Sequence, residues 1–327
     1  MLGLTQHSHT ERGNEVIPRN FRMKRLLALP ILLAALGALI PSSPGRATEP
    51  AVIRIGMVQS LFHDVPTPLV NLLTPPFRGL MRDFTGLNGE IVTGGDSFDM
   101  ARRLADDKIQ LVVFHGLEFG WAQQKHSELR PLMLAVHKHP IQKAHLVVRN
   151  DSTIADFADL KGKDLAIHFR SKEHCRVFIE KNCGVSGKCD PKSFFGNITK
   201  PAHSEAALDD VLTGKVSAAV VDTVSLESYE EVKPGCHARL KLLKLSESFP
   251  AATIAYREGS LSSGTLAKFR DGMISANRSE RGRELMDLWK ISSFQPIPGD
   301  FQQSLAAIVQ AYPAPIVATA VSAPVSR

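Results

Sequence analysis

The segment Ile167–Phe178, IHFRSKEHCRVF, gathers two histidines, two arginines, a lysine, a glutamate and a cysteine into one corner of the chain. Three chemistries could use such a set: nucleophilic attack, metal ligation and anion capture. Nucleophilic attack by Cys175 fails on geometry, because its neighbour His174 would point elsewhere on a helix, where partners lie three or four residues apart. In an exported protein such a cysteine is also more often paired or buried than reactive. A metal would draw on His63, His115, His168, His174, His203, Glu118 and Asp222, a donor set that suits zinc. Those residues would have to converge from five separate loops, so no metal site is assigned. GxSxG, HExxH, P-loop and dinucleotide GxGxxG motifs are absent from the sequence, and no cofactor is implied.

Anion capture fits best. A helix starting at this corner offers free amides and a partial positive charge. Arg170 and Lys172 add charge, and Ser171 can donate a hydrogen bond. Glu173 opposes an anion but suits a helix N-terminus. The plainer reading is a solvated rim with Ser171 only capping the helix.

The corner needs an element to hold it, and an internal repeat supplies one. Residues 97–115, SFDMARRLADDKIQLVVFH, align without gaps on residues 204–222, SEAALDDVLTGKVSAAVVD, at an offset of 107. Each copy starts with a serine suited to cap a helix and enters an apolar run typical of a strand buried on both faces. Each then stops at one polar residue, His115 or Asp222. A weaker echo sets RIGMVQS (54–60) against LAIHFRS (165–171). The chain thus reads as two β-α-β-α-β halves with a ligand crevice at the strand carboxyl ends. Loops 59–64, 115–118, 169–174, 201–204 and 222–225 converge there. Their candidate binding residues are Ser60, Phe62, His63, His115, Glu118, Arg170, Ser171, Lys172, His203 and Asp222. His137 and His139 alternate on an apparent strand and are read as solvent-facing.

Beyond these halves the composition is that of a globular protein, with 43% hydrophobic and 22% charged residues. The +6 formal charge resides largely in the first 47 residues; without them 33 basic residues face 31 acidic ones. Nothing there argues for nucleic acid. Met23-Lys24-Arg25, an apolar run and PSSPGRA form a secretory signal, with Met23 as the start and cleavage after Ala47. The mature protein is expected to be soluble, periplasmic or otherwise exported. In that compartment disulfides persist. Cys175 and Cys183 on one helix would lie about 12 Å apart, too far to bridge. Cys183 and Cys189 flank the flexible GVSGK and are the favoured pair. Segments 141–147 and 243–252 are candidate crossings between lobes. The expected organisation is a leader over 1–47, lobe 1 over 48–143 plus 248–312, lobe 2 over 144–247, and a disordered Pro/Ala-rich tail over 313–327.

RIGMVQS, IQLVVFHGLEF, ADLKGKDLAIHF, GKVSAAVVD, SFPAATIAYR and LMDLWKISSFQPI resemble, in order and spacing, the periplasmic phosphate/phosphite/phosphonate-binding proteins of ABC transporters. The resemblance spans about residues 51–303. It implies a type II periplasmic binding protein fold, α/β, with two lobes, each a mixed sheet flanked by helices, closing on a solute by hinge motion. It also implies a monomer that delivers a small oxyanion, a phosphonate or phosphate ester, to a membrane permease without catalysing a reaction. In that family the loop after the second lobe's first strand is rich in Ser and Thr; here it reads Ser171, Lys172, Glu173, His174. The family's acidic residue, which pairs with the amine of an aminophosphonate, matches Asp222, and its first-lobe aromatic matches Phe62. In FHGLEFGW, Gly116 and Phe119 follow the family pattern whereas Glu118 does not. These departures support an alternative: a receptor or sensor domain of the same fold for a small acid, an amino compound or a metal chelate. An exported enzyme on this fold would have to show turnover without a partner protein.

Overall fold

The computed structural model describes residues 52–62, 67–184 and 190–315, with no side chains described for 67–69, 71 and 73. The leader, His63, Cys189 and the tail beyond 315 lie outside these residues, and with them the predicted cleavage site and the Cys183–Cys189 pair.

The strands are β1 (Ile53–Met57), β2 (Gly89–Thr93), β3 (Leu111–Phe114), β4 (Leu129–Val136), β5 (Ile141–Gln142), β6 (Ala144–Arg149), β7 (Leu165–Ile167), β8 (Ile198–Thr199), β9 (Ala218–Asp222), β10 (Leu240–Leu245), β11 (Phe249–Pro250), β12 (Ala252–Arg257) and β13 (Ser293–Gln295). The helices are α1 (Thr67–Thr85), α2 (Ser97–Ala105), α3 (Gly116–Lys125), α4 (Glu173–Cys183), α5 (Pro191–Phe194), α6 (Ser204–Leu212), α7 (Thr223–Val232), α8 (Pro234–His237), α9 (Ser263–Ala276), α10 (Glu280–Asp287) and α11 (Phe301–Ala311).

Two sheets carry the two lobes. The first is ordered β13-β4-β12-β3-β1-β2, the second β10-β6-β9-β7-β8. In each, three parallel strands (β2-β1-β3 and β8-β7-β9) meet an antiparallel neighbour, β12 or β6. LVVF of β3 is buried at every position because apolar clusters cover both faces of its sheet. Met100 and Leu104 of α2, Leu117 and Phe119 of α3, and Phe301 and Leu305 of α11 form one cluster. Phe77 and Leu80 of α1, Phe269 and Met273 of α9 and Met286 of α10 form the other. The second sheet is sandwiched likewise, with Phe178 and Ile179 of α4 on one face and Leu208 and Val211 of α6 on the other.

The repeat maps onto α2-β3 and α6-β9. The capping residue lies one position earlier than the serines suggested. Asp96 Oδ1 accepts from the amides of Phe98 and Asp99 at 2.9 and 2.8 Å, and His203 Nδ1 accepts from Ala206 at 3.3 Å. Ser97 is instead buried within the first turn of α2. An aspartate before the helix presents an acceptor to two free amides, which a serine inside the turn cannot do.

Between the sheets, β5 and β11 pair as a two-stranded antiparallel ribbon, Phe249 opposite Gln142 and Pro250 opposite Ile141. The segment that follows α11 packs against this ribbon. Trp121 Nε1 of α3 donates to the Tyr312 carbonyl at 2.8 Å, and the Tyr312 ring packs 4.8 Å from Phe249. The Tyr312 hydroxyl donates to Glu247, which also pairs with Lys181 of α4. Burial alone would push the Glu247 carboxyl up, but Lys181 and Tyr312 hold it below its ordinary value. Among the described residues no helix is long and apolar enough to cross a membrane.

Candidate functional site

A cleft of about 460 Å³ opens between the sheets beside the ribbon. Its polar wall is the corner 170–174, which follows β7 and leads into α4. Ser171 is only 4% exposed, and its hydroxyl has no hydrogen-bond partner of normal geometry; the Cys175 thiol beside it is a weak one at best. Lys172 occupies the N-cap of α4 without a side-chain capping bond; the Cys175 amide donates to the Lys172 carbonyl at 3.0 Å, which leaves the Glu173 and His174 amides without a capping side chain. Arg170 is exposed at the rim, and Glu173 lies 3.8 Å from Arg176.

His174 is 8% exposed and lines the same wall. Burial drives its pKa down to about 4, against the nearby Asp222 carboxylate, so the ring is neutral at physiological pH. It bonds to the Lys143 backbone, whereas Nε2 has no partner. With Nδ1–H assigned to the Lys143 carbonyl, Nε2 presents a lone pair rather than a proton.

The opposite wall comes from the ends of β1 and β3. A 3₁₀ turn over Gln59–Phe62 places the Ser60 hydroxyl 2.8 Å from both carboxyl oxygens of Glu118. His115 is the N-cap of α3, and Glu118 reaches back to the His115 amide at 3.4 Å, a capping box with histidine in the serine position. Glu118 is 7% exposed, and burial raises its pKa to about 7 in spite of these donors. It is therefore part carboxylic acid at neutral pH. Helix α3 can approach the ribbon only because residue 116 is glycine: a Cβ there would sit 2.5 Å from the Pro250 carbonyl oxygen and 2.9 Å from that of Ala251. Gly116→Ala should thus destabilise the fold by about 1–3 kcal/mol, measured by urea unfolding; an unchanged midpoint would show that the helix and ribbon move apart freely.

Seven of the ten residues singled out in the sequence line this cleft: Ser60, Phe62, His115, Glu118, Arg170, Ser171 and Lys172. His63 is outside the described residues. His203 is exposed and caps α6 away from the cleft. Asp222 lies behind the lining, where it caps α7: Oδ1 accepts from the Ser225 amide at 2.9 Å and Oδ2 from the Ser225 hydroxyl at 3.2 Å. Burial would raise its pKa, but the Ser225 amide and the charge of Lys172 hold it below the ordinary value.

Several lining residues were not anticipated. His137 is half-buried in the cleft wall rather than solvent-facing, because β4 stops at Val136 and the chain turns through Lys138 in the left-handed region (φ 59°). His139 instead pairs with Glu227 at 2.9 Å. Trp289 follows α10, which closes with Lys290 N–H to Asp287 O at 2.9 Å and Ile291 N–H to Met286 O at 3.1 Å. That closure puts Lys290 at φ 54°, a position glycine usually fills, and turns Trp289 toward the cleft. Gln142 and Phe249 enter from the ribbon, and Phe77 and Phe294 from the first lobe. In sequence these residues read only as core or linker, since the apolar pattern of a cleft floor equals that of a core. Among the described residues no group of three His, Cys, Asp or Glu side chains converges as a metal centre.

Comparison with known proteins gives this geometry a family. No curated protein sequence matches the chain significantly. Many solved structures match its fold, the following three among them. A Xanthomonas citri protein bound to ATP superposes with a TM-score of 0.57 at 16% identity, covering 80% of this chain and 97% of that one. PhnD1 of Prochlorococcus marinus, in complex with methylphosphonate, gives 0.54 at 12%, covering 80% and 98%. A binding-protein component of an ABC phosphonate transporter from Pseudomonas aeruginosa gives 0.52 at 19%, covering 81% and 86%. At these identities the likeness establishes the fold. The family profile "ABC transporter, phosphonate, periplasmic substrate-binding protein" matches residues 70–300, most of the chain, and the chain belongs to that family.

Proposed function

We propose that the chain, exported by its leader and cleaved after Ala47, binds a phosphonate or phosphate monoester as a monomer and presents it to an ABC permease, with no reaction of its own. One observation carries the reading: a serine 4% exposed, whose hydroxyl meets only the weakly bonding Cys175 thiol, stands at a helix N-terminus inside the cleft. That pairing of a hydroxyl donor with uncapped amides suits an oxyanion. Arg170 and Lys172 supply charge from the same wall. The two lobes, 48–143 plus 248–312 and 144–247, would close about the ribbon, and ligand affinity for the closed form alone would drive the closure. Cys183, at the end of α4, would close onto Cys189 in an oxidising compartment.

His174 favours a phosphorus acid over a sulfonate. An acceptor facing an anion repels it unless the anion carries its own proton, and a phosphonate monoanion has a P–OH to donate. Of the two remaining sequence candidates outside the lining, Asp222 would act by holding the α7 start beside Lys172, and His203 has no part in the contact.

Calorimetric titration of the mature protein with methylphosphonate, phenyl phosphate and methanesulfonate tests this. Either phosphorus compound should bind, and methanesulfonate should bind at least tenfold more weakly. Ser171→Ala should weaken binding tenfold to a hundredfold, the equivalent of about 1.5–3 kcal/mol for a hydrogen bond to a charged group. Equal affinity of Ser171→Ala and the parent for every ligand would remove the anion from this corner.

A further inference from the structure

The two walls of the cleft differ in chemistry more than a small hydrophilic anion requires. The second-lobe side is the polar corner already described. Met57, Phe62, Phe77, Val113, Trp289 and Phe294 make up much of the opposite side. These residues belong to, or pack on, the apolar cluster beneath α1, α9 and α10, so that the first lobe's core continues to the cleft surface. Trp289 stands at its centre, in edge contact with Phe62 at 6.0 Å and Phe77 at 5.4 Å between ring centroids. Its indole Nε1 is buried without a partner. The ring itself, and not this sealed nitrogen, is what the turn through Lys290 at φ 54° brings to the cleft lining.

The charges an amine-bearing ligand would need are missing from that side. Asp222 does not line the cleft, and both its oxygens accept from Ser225. Glu118 is buried and holds the Ser60 hydroxyl on both oxygens. Glu173 lies on the anion wall beside Arg176, not across from it. His115, His137, Gln142 and Lys290 are the other polar groups outside the corner, and the only charge Lys290 could bring is positive, which suits an anion and not an amine.

We propose that the cleft selects an anion with an apolar body, an aryl- or branched-alkylphosphonate or the corresponding phosphate monoester, rather than methylphosphonate or an aminoalkylphosphonate. This rests on the reading that the anionic head sits at the start of α4, and it assigns the remainder of the ligand to the aromatic wall. Burial of a phenyl group between Phe62, Phe77 and Trp289 removes apolar surface from water on ligand and protein together.

The test is a calorimetric series on the mature protein with methylphosphonate, 2-aminoethylphosphonate and phenylphosphonate, alongside benzenesulfonate and benzoate. Phenylphosphonate should bind at least tenfold tighter than either other phosphonate, about 1.4 kcal/mol, and should perturb Trp289 fluorescence. Trp289→Ala should bring the phenyl-to-methyl affinity ratio toward one, and Phe62→Ala reads the same wall should the first variant fold poorly. Methyl- or aminoethylphosphonate binding as tightly as phenylphosphonate overturns the apolar-body assignment and leaves the phosphonate receptor intact. An unchanged ratio in both variants likewise overturns it. Binding of benzenesulfonate or benzoate with silence from all three phosphonates overturns both readings.

Discussion

Glu118→Gln should steepen the loss of stability on acidification between pH 7.5 and 4.5 by about 3 kcal/mol, while raising stability at the upper end of that range. The carboxyl has an ordinary pKa of 4.5 and a folded value of about 7. Between these values the folded protein holds a proton that the unfolded chain releases. Its stabilising effect is complete below pH 4.5 and is lost as pH rises through 7, and a shift of this size corresponds to about 3 kcal/mol. His174 works in the opposite sense. Its folded value of about 4, against 6.5 when unfolded, gives stability that is present above 6.5 and lost as pH falls through 4. Burial depresses His137, His145 and His168 in the same direction. In the parent protein the gain from Glu118 offsets the loss from His174 across this window. The glutamine variant keeps the Ser60 contact but not the proton, and exposes the histidine slope. Urea midpoints from pH 4.5 to 8 measure both curves; parallel curves would mean that Glu118 titrates as an ordinary surface carboxyl.

Tyr312→Ala should lower stability by about 3–5 kcal/mol, the range for removing a large buried aromatic side chain. The residue is 4% exposed and joins three parts of the molecule: its carbonyl accepts from Trp121 of α3, its ring meets Phe249 of the ribbon, and its hydroxyl meets Glu247. Lys181 Nζ stands 4.4 Å over the same ring. Tyr312→Phe removes the hydroxyl alone and should cost less, about 1.5–3 kcal/mol for a hydrogen bond to a charged acceptor. Thermal melts of both variants separate packing from hydrogen bonding. If alanine costs no more than phenylalanine, the ring does not contribute and the C-terminal segment is merely laid on the surface.

Those two residues also mark where sequence reasoning reached and where it stopped. Strands buried on both faces betray themselves as apolar runs, so β3 and β9 were legible, as were the polar residues that end them. The corner 170–174 was legible because charged side chains rarely follow such a run without a use. Glu118 stood out as a crevice-loop carboxylate and as a departure from a family pattern, but its proton affinity did not: that comes from burial, which depends on the packing of α3 against the ribbon. Trp289, Phe77 and Phe294 carried no signal of their own. A phenyl ring facing a cleft and one facing a core obey the same periodicity, and what distinguishes them is the bend at Lys290. Asp222 shows the converse limit, since a lone acid after a buried strand satisfies a helix start as readily as a ligand.

The sheet order has a consequence for how the chain is made. The first lobe's β12, which pairs with both β3 and β4, is not synthesised until residues 252–257, and β13 later still. The second sheet is continuous in sequence, from Ala144 to Leu245. A chain emerging N-terminus first therefore exposes half of one sheet, with the edge of β3 unpaired, throughout the emergence of the other lobe. Local contacts form ahead of distant ones, so the later lobe matures first and the earlier one waits for its middle strand. Over that interval β3 and β4 are open to wrong partners, and the tyrosine near the end of the chain is among the last contacts to arrive.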